Sequence, residues 1–172
     1  MYKTVIKPVL VLFAICLVAS VILGLTNLLT ADAIKSREEN AQALAFHLVL
    51  AAEKYEPFEI NDHPDAAVFK AVKGDETIGF CIVETKKGYG GDVKTVIGIK
   101  NGKITAVTVT DVSSETAGIG KKVADDEFTS RFSGVSNVDG VTAVTGATFS
   151  SKAVKSAVSE ALEIYGEVAG VE

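Results

Sequence analysis

Apolar positions follow three successive rules along this chain. Residues 9–29 are almost wholly aliphatic, and no charged residue lies between Lys7 and Asp32. From 33 to about 52 the apolar positions Ile34, Ala41, Ala45 and Leu48 recur at helical steps, with a polar face over 35–40. Pro57 and Pro64 bracket an irregular piece. The period then drops to two, and 67–72, 77–84, 93–100 and 104–111 read as strands rich in Val, Ile and Thr. Asn101-Gly102 between the last two is a hairpin signal, because both residues tolerate positive φ. Gly74-Asp75 turns the first pair. A short helix follows over 125–131, then a longer one over 150–168, where Val154, Val158, Ala161, Leu162 and Tyr165 share one face. Strands in succession followed by helices predict an α+β domain with an antiparallel sheet and flanking helices. The organisation expected is an N-terminal transmembrane anchor over 1–32, a helical stalk or connector over 33–60, and a folded domain over 61–172. There is no internal repeat.

About twenty apolar residues at 1.5 Å each cross a bilayer core of about 30 Å. Ala31-Asp32-Ala33 has the small-x-small form of a signal-peptide cleavage site, but the apolar region of such a signal is only about 7–15 residues. The longer run here favours a retained anchor in contact with membrane lipid. Lys3 and Lys7 are the only charges before it, so the positive-inside tendency keeps the N-terminus in the cytoplasm and sends the rest across. Lys35 and Arg37 weaken that asymmetry.

Beyond the span lie all 22 acidic residues and 15 of the 17 basic ones, a formal charge of −7. That balance disfavours nucleic acid as a partner. Cys16 in the span and Cys81 in an apolar strand give no disulfide framework, and Cys81 reads as a buried, inert thiol. His47 and His63 have no cysteine nearby and give a metal site no support; both read as surface or packing residues.

Candidate chemistry concentrates in 142–151, where the five hydroxyls of Thr142, Thr145, Thr148, Ser150 and Ser151 crowd ahead of the last helix. Such hydroxyls serve as N-caps, accepting from the free amides of the first turn. The same amides and the positive end of the helix dipole also attract a phosphate. Two loops accompany this stretch. Gly88-Tyr89-Gly90-Gly91 is a glycine-rich turn between strands, where Tyr89 either packs on a ligand or closes the core. Glu115-Thr116-Ala117-Gly118-Ile119-Gly120 follows the last strand and on its own reads as a polar turn.

Together these three stretches resemble the FMN-binding domain of the RnfG family, the G subunit of the Rnf complex. The same domain occurs in the sodium-pumping NADH:quinone oxidoreductase. Thr145-Gly146-Ala147-Thr148 is similar to the family's [Ser/Thr]-Gly-Ala-Thr motif, whose last Thr carries FMN through a phosphoester. The resemblance therefore implies covalent FMN on Thr148, installed by a magnesium-dependent flavin transferase with FAD as donor. Gly88, Tyr89 and Gly90 match a Gly-Tyr-Gly-Gly signature. The 115–120 loop resembles a Glu-Thr-Pro-Gly-Leu-Gly segment that lies against the isoalloxazine ring. It implies polar contacts from Glu115 and Thr116, a turn at Gly118 and an apolar contact from Ile119. Ala117 and Ile119 depart from that pattern, and Thr142 stands where many relatives have Asp, with Asp139 further upstream.

The resemblance implies an electron-transfer component, catalysing nothing alone, in a membrane complex that couples electron flow between ferredoxin and NAD to ion movement. It implies the other Rnf subunits as partners and an extracytoplasmic position for the domain. The domain of the quinone reductase is longer, so the RnfG family is the better match in length. The alternatives are a flavinylated domain of another membrane reductase or extracellular electron-transfer system, and a flavin-free anchored scaffold.

Overall fold

A long apolar stretch with Gly24 as its one interior glycine meets no obligatory helix break after Pro8. In the computed structural model, which describes residues 2–60 and 63–170 (backbone alone at 2–5), α1 accordingly runs from Tyr2 to Val49. The side chain of Lys3 and the domain start expected at 61 lie outside the described residues. The chain forms two compact units, Met1–Asn40 and Ala41–Glu172. In the first, the apolar window of α1 is uncovered by protein along its whole length, and the helix is long enough to cross a membrane. Within the apolar stretch, Ser20 Oγ donates to the Cys16 carbonyl at 2.8 Å and Thr26 Oγ1 to that of Ile22 at 2.9 Å, both within the helix. In a hydrocarbon environment, where water is absent, that internal pairing removes their desolvation penalty.

The second unit is built on five antiparallel strands in the order of the chain: β1 (Lys54–Phe58), β2 (Ala66–Lys73), β3 (Glu76–Lys87), β4 (Asp92–Lys100) and β5 (Lys103–Asp111). The four strands expected from the period-two pattern are all present. At the β4–β5 hairpin Asn101 and Gly102 both take positive φ, 52° and 69°, the backbone a two-residue turn with the strands' own twist requires. β1 falls in the stretch expected as a helical stalk or connector and runs into the irregular piece that starts at Pro57. Its Pro57 removes a ladder donor, which an edge strand tolerates, and β1 pairs with β2 on one side only.

Alternation along β3 and β4 gives the sheet two apolar faces. Phe80, Ile82, Val93, Ile97 and Ile99 meet α3 (Thr148–Val168) through Val154, Val158, Ala161 and Ile164. Each of the fully buried Val, Ile and Phe side chains stabilises the fold by about 1.5–3 kcal/mol. Between β5 and α3 the chain makes a 3-10 turn (Gly120–Ala124), a four-residue α2 (Asp126–Thr129) and a second 3-10 turn (Ser130–Phe132), where one helix over 125–131 was expected. Phe128 and Phe132 from this segment pack edge-on and are fully buried.

Ala45, Phe46, Val49 and Leu50 cover the opposite face, against Ala71, Cys81, Val83 and Val96. The stretch expected as a connector thus divides, its part from Ala41 onward belonging to the sheet-bearing unit. α1 stops at Val49, short of the expected 52, because its end docks on the sheet. The Val49 carbonyl accepts from Thr105 Oγ1 and lies over Gly98, where a Cβ would stand 2.5 Å from it. Burial on this face pushes the Cys81 thiol up to about 12, so the thiol is unreactive, as expected. His47 packs on Tyr55, and His63 sits between Glu160 and Glu167 of α3 at 3.5 Å from each.

Candidate functional site

Three loops converge beside the start of α3. The 88–91 turn joins β3 to β4 and is closed by Gly88 N–H donating to the Gly91 carbonyl at 2.8 Å. The 115–120 loop leaves β5 through an Asx turn, with Ser113 N–H donating to Asp111 Oδ1 at 2.8 Å. It then folds over Thr116, whose carbonyl accepts from the amides of Ile119 and Lys121. The third loop, 141–147, enters α3 through Gly146 at φ 82°, a left-handed value that glycine adopts without strain.

Glu115 binds these pieces together. Its side chain is buried, and Oε1 accepts from the amides of Tyr89 (2.8 Å) and Gly90 (3.2 Å) while Oε2 accepts from Ser150 Oγ (2.7 Å). The carboxylate expected to make a polar contact to the cofactor thus has three partners within the protein.

Around this junction lies a cleft of about 480 Å³ lined by Tyr89, Thr116, Ile119, Ala147, Thr148 and Phe149. Glu115, Gly120, Gly146 and Ser150 complete its wall. Among the described residues beyond Leu48, the large apolar side chains left exposed are Tyr89 (73%), Ile119 (48%) and Phe149 (66%), and all three line this cleft. The rings of Tyr89 and Phe149 stand 6.2 Å apart at 44°. Ordinary surfaces leave such side chains scattered; three gathered in one concavity mark a ligand site.

Of the expected site residues, Tyr89, Glu115, Thr116, Ile119, Gly146, Ala147 and Thr148 come together here. Gly88 and Gly90 lie behind the cleft against Glu115 and Ser114, where neither has room for a Cβ. Gly118 supplies a turn at φ 75°. Thr145 lines a separate cleft of about 300 Å³ with Lys122, Arg131 and Thr142. There Arg131 Nη1 donates to the Thr142 carbonyl at 2.8 Å, so the backbone of the departing residue helps hold the loop. Phe149 and Ser150 were not expected at the cleft. For Phe149 a signal existed: it is a large apolar residue off the stripe of Val154, Val158 and Ala161 that faces the core.

The hydroxyls divide by environment. α3 begins at Thr148, two residues before its expected start, and its N-cap is Ala147, with no side chain capping it. Ser150 and Ser151 are buried and engaged, Ser150 with Glu115 and Ser151 Oγ accepting from Val144 N–H at 3.0 Å. Thr145 and Thr148 are exposed. The hydroxyl cluster therefore does not supply the N-cap, and among the described residues no side chain caps the start of this 21-residue helix. An apolar cleft for a flat ring beside uncapped amides for a phosphate fits FMN.

The fold and this site define an FMN-binding domain following a helix of membrane-spanning length. Residues 88–163 match the FMN-binding domain family, and residues 1–49 match the RnfG N-terminal region. The chain is 30% identical to the G subunit of the Na(+)-translocating ferredoxin:NAD(+) oxidoreductase complex of Acetobacterium woodii, over 95% of this chain and 93% of that one. It is 27% identical to the G subunit of the proton-translocating ferredoxin:NAD(+) oxidoreductase complex of Clostridium ljungdahlii, over 86% and 84% of the two chains. This chain belongs to the RnfG family of Rnf complex components, and its apolar N-terminal helix fits a single-pass membrane protein.

Proposed function

We propose that this chain is the electron-carrying RnfG component of a membrane ferredoxin:NAD oxidoreductase, and that it holds FMN through a phosphoester at Thr148 Oγ1. The observation that carries the reading is the gathering of Tyr89, Ile119 and Phe149 around an exposed Thr148 at the open start of α3. Bound FMN supplies the electron-transfer chemistry, and the protein supplies position and environment. Tyr89, Phe149 and Ile119 offer apolar surface for the ring. The amides opening α3 favour the phosphate charge by about 0.3–1 kcal/mol per exposed contact. Ser150 and Ser151 are poor acceptors for transfer, since each is buried and already hydrogen-bonded.

On this reading a flavin transferase loads the chain from FAD, and the working partners are the other subunits of the complex. With Lys7 ahead of the uncharged span, the domain lies outside the cytoplasm. There a covalent link prevents loss of cofactor by dilution.

The test is in-gel flavin fluorescence of the denatured full chain after co-expression with the transferase. Thr148→Ala is expected to abolish the signal, whereas Thr148→Ser and Thr145→Ala retain it. A covalent FMN adduct on the Thr148→Ala chain, mapped by peptide mass to another residue, overturns the assignment.

A further inference from the structure

Glu115 holds the site together through segments far apart in sequence. Its donors, Tyr89 N–H, Gly90 N–H and Ser150 O–H, lie 26, 25 and 35 residues away. They belong to two sides of the cleft: the amides to the 88–91 turn that carries the Tyr89 ring, the hydroxyl to the first turn of α3 that carries Thr148 and Phe149. Space around the carboxylate is closed as tightly as its bonding. A Cβ at Gly88 would run into Oε1 and one at Gly120 into Oε2, so glycine on two different segments makes room for this one side chain.

We propose that Glu115 is a positioning residue: a buried carboxylate latch that clamps the Tyr89 turn to the Thr148 end of α3 and so sets the width of the cleft before any cofactor arrives. Its bearing on flavin rests on the function proposed above, but the latch itself is a property of the cofactor-free chain. The latch needs acceptors in fixed places and no net charge. Glutamine can reproduce it: the amide oxygen accepts from Tyr89 and Gly90, and the amide nitrogen donates to Ser150 Oγ, a hydroxyl able to accept as well as donate. Alanine cannot.

Hydrogen–deuterium exchange at the Tyr89 and Gly90 amides tests this directly, using the full chain in detergent, expressed without the transferase. Glu115→Ala is expected to raise exchange at both amides by about tenfold or more, as leaving both without their hydrogen-bond acceptor implies. Glu115→Gln is expected to stay within about threefold of wild type. Gly88→Ala, which leaves the carboxylate in place but pushes the turn off Oε1, is expected to reproduce the faster exchange if Glu115→Ala fails to fold. On chains loaded by the transferase, Glu115→Ala and Ser150→Ala are expected to shift the flavin absorption spectrum and reduction potential, with Glu115→Gln restoring the spectrum. Wild-type exchange in both Glu115→Ala and Gly88→Ala overturns the latch. So does a Glu115→Gln chain as labile as the alanine variant, which would assign the role to charge. The predicted exchange pattern in a chain that takes up no covalent flavin supports the latch and counts against the Thr148 assignment alone.

Discussion

Glu84 lies inside β3 on the face covered by α3, opposite Thr95 of β4, and both side chains are fully buried. Glu84 Oε2 lies 3.3 Å from Lys86 Nζ, which Glu160 holds closer at 2.6 Å; among the described residues neither Glu84 oxygen has a partner besides this shared lysine. Burial pushes the Glu84 carboxyl up against the opposing pull of Lys86, while the hydrogen bond from Lys86 holds Glu160 below its usual range. An ionised, unsatisfied carboxylate costs about 1–3 kcal/mol, partly offset here by the lysine. Glu84→Gln keeps the shape and removes the charge, and Lys86 keeps Glu160. The variant is therefore expected to be more stable than wild type by about 1 kcal/mol near pH 8, a rise of about 2–5 °C in Tm.

The pH dependence fixes the sign. A carboxyl whose folded pKa is raised stays neutral in both states below its unfolded value, about 4.3. As pH climbs from there through the raised folded value, the unfolded chain loses the proton first and stability falls. The advantage of Gln should thus appear above about pH 4 and disappear below it. Glu160, held low, contributes in the other direction, with stability present above its unfolded value and lost as pH falls through its folded one. Because both carboxylates share Lys86, removing the Glu84 charge also strengthens the Lys86–Glu160 pair, which adds to the advantage of Gln above about pH 4. Thermal unfolding of the full chain in detergent, followed by circular dichroism across this range, measures the difference. A Gln variant less stable than wild type by about 1 kcal/mol near pH 8, or an advantage that grows on acidification, refutes the reasoning.

Gly98→Ala puts a Cβ 2.5 Å from both the Val49 carbonyl and Thr105 Oγ1. It should lower stability by about 2–3 kcal/mol, read as a drop in the denaturant midpoint, because a helix end must move to admit it. A change below about 0.5 kcal/mol would mean the end of α1 is not seated on the sheet. Ile119→Asp sets a carboxylate in the apolar wall of the cleft; it should leave covalent attachment intact but shift the flavin spectrum and potential. An unshifted potential would place the ring elsewhere. Alkaline phosphatase fused after Glu172 should be active in cells, and activity from a cytoplasm-dependent reporter instead would reverse the proposed orientation.

What the sequence determined by itself was local. Four strands, the Asn101-Gly102 hairpin and the buried stripe of α3 follow from residue period and backbone preference, which neighbours along the chain decide. The three site loops were legible for a related reason. Gly88–Gly91, Glu115–Gly120 and Thr145–Thr148 each keep their order within a few residues, so the three could be matched together, although none alone marked a site or revealed which residues face the cleft. β1 was hidden because five residues containing Pro57 carry little strand signal, and only pairing with β2 makes them one. The end of α1 looked like a stalk because nothing local announces that Gly98 and Thr105 will receive the Val49 carbonyl. Ser150 and Ser151 could not be told from Thr148 by type; burial separated them, and burial is set by the sheet beneath the helix. Glu115 is the sharpest case. The family resemblance implied a polar contact from it to the flavin, and in the fold its oxygens accept from Tyr89, Gly90 and Ser150. Which donors a buried carboxylate finds depends on contacts across 25 to 35 residues of chain, and only the folded sheet and helix bring those together.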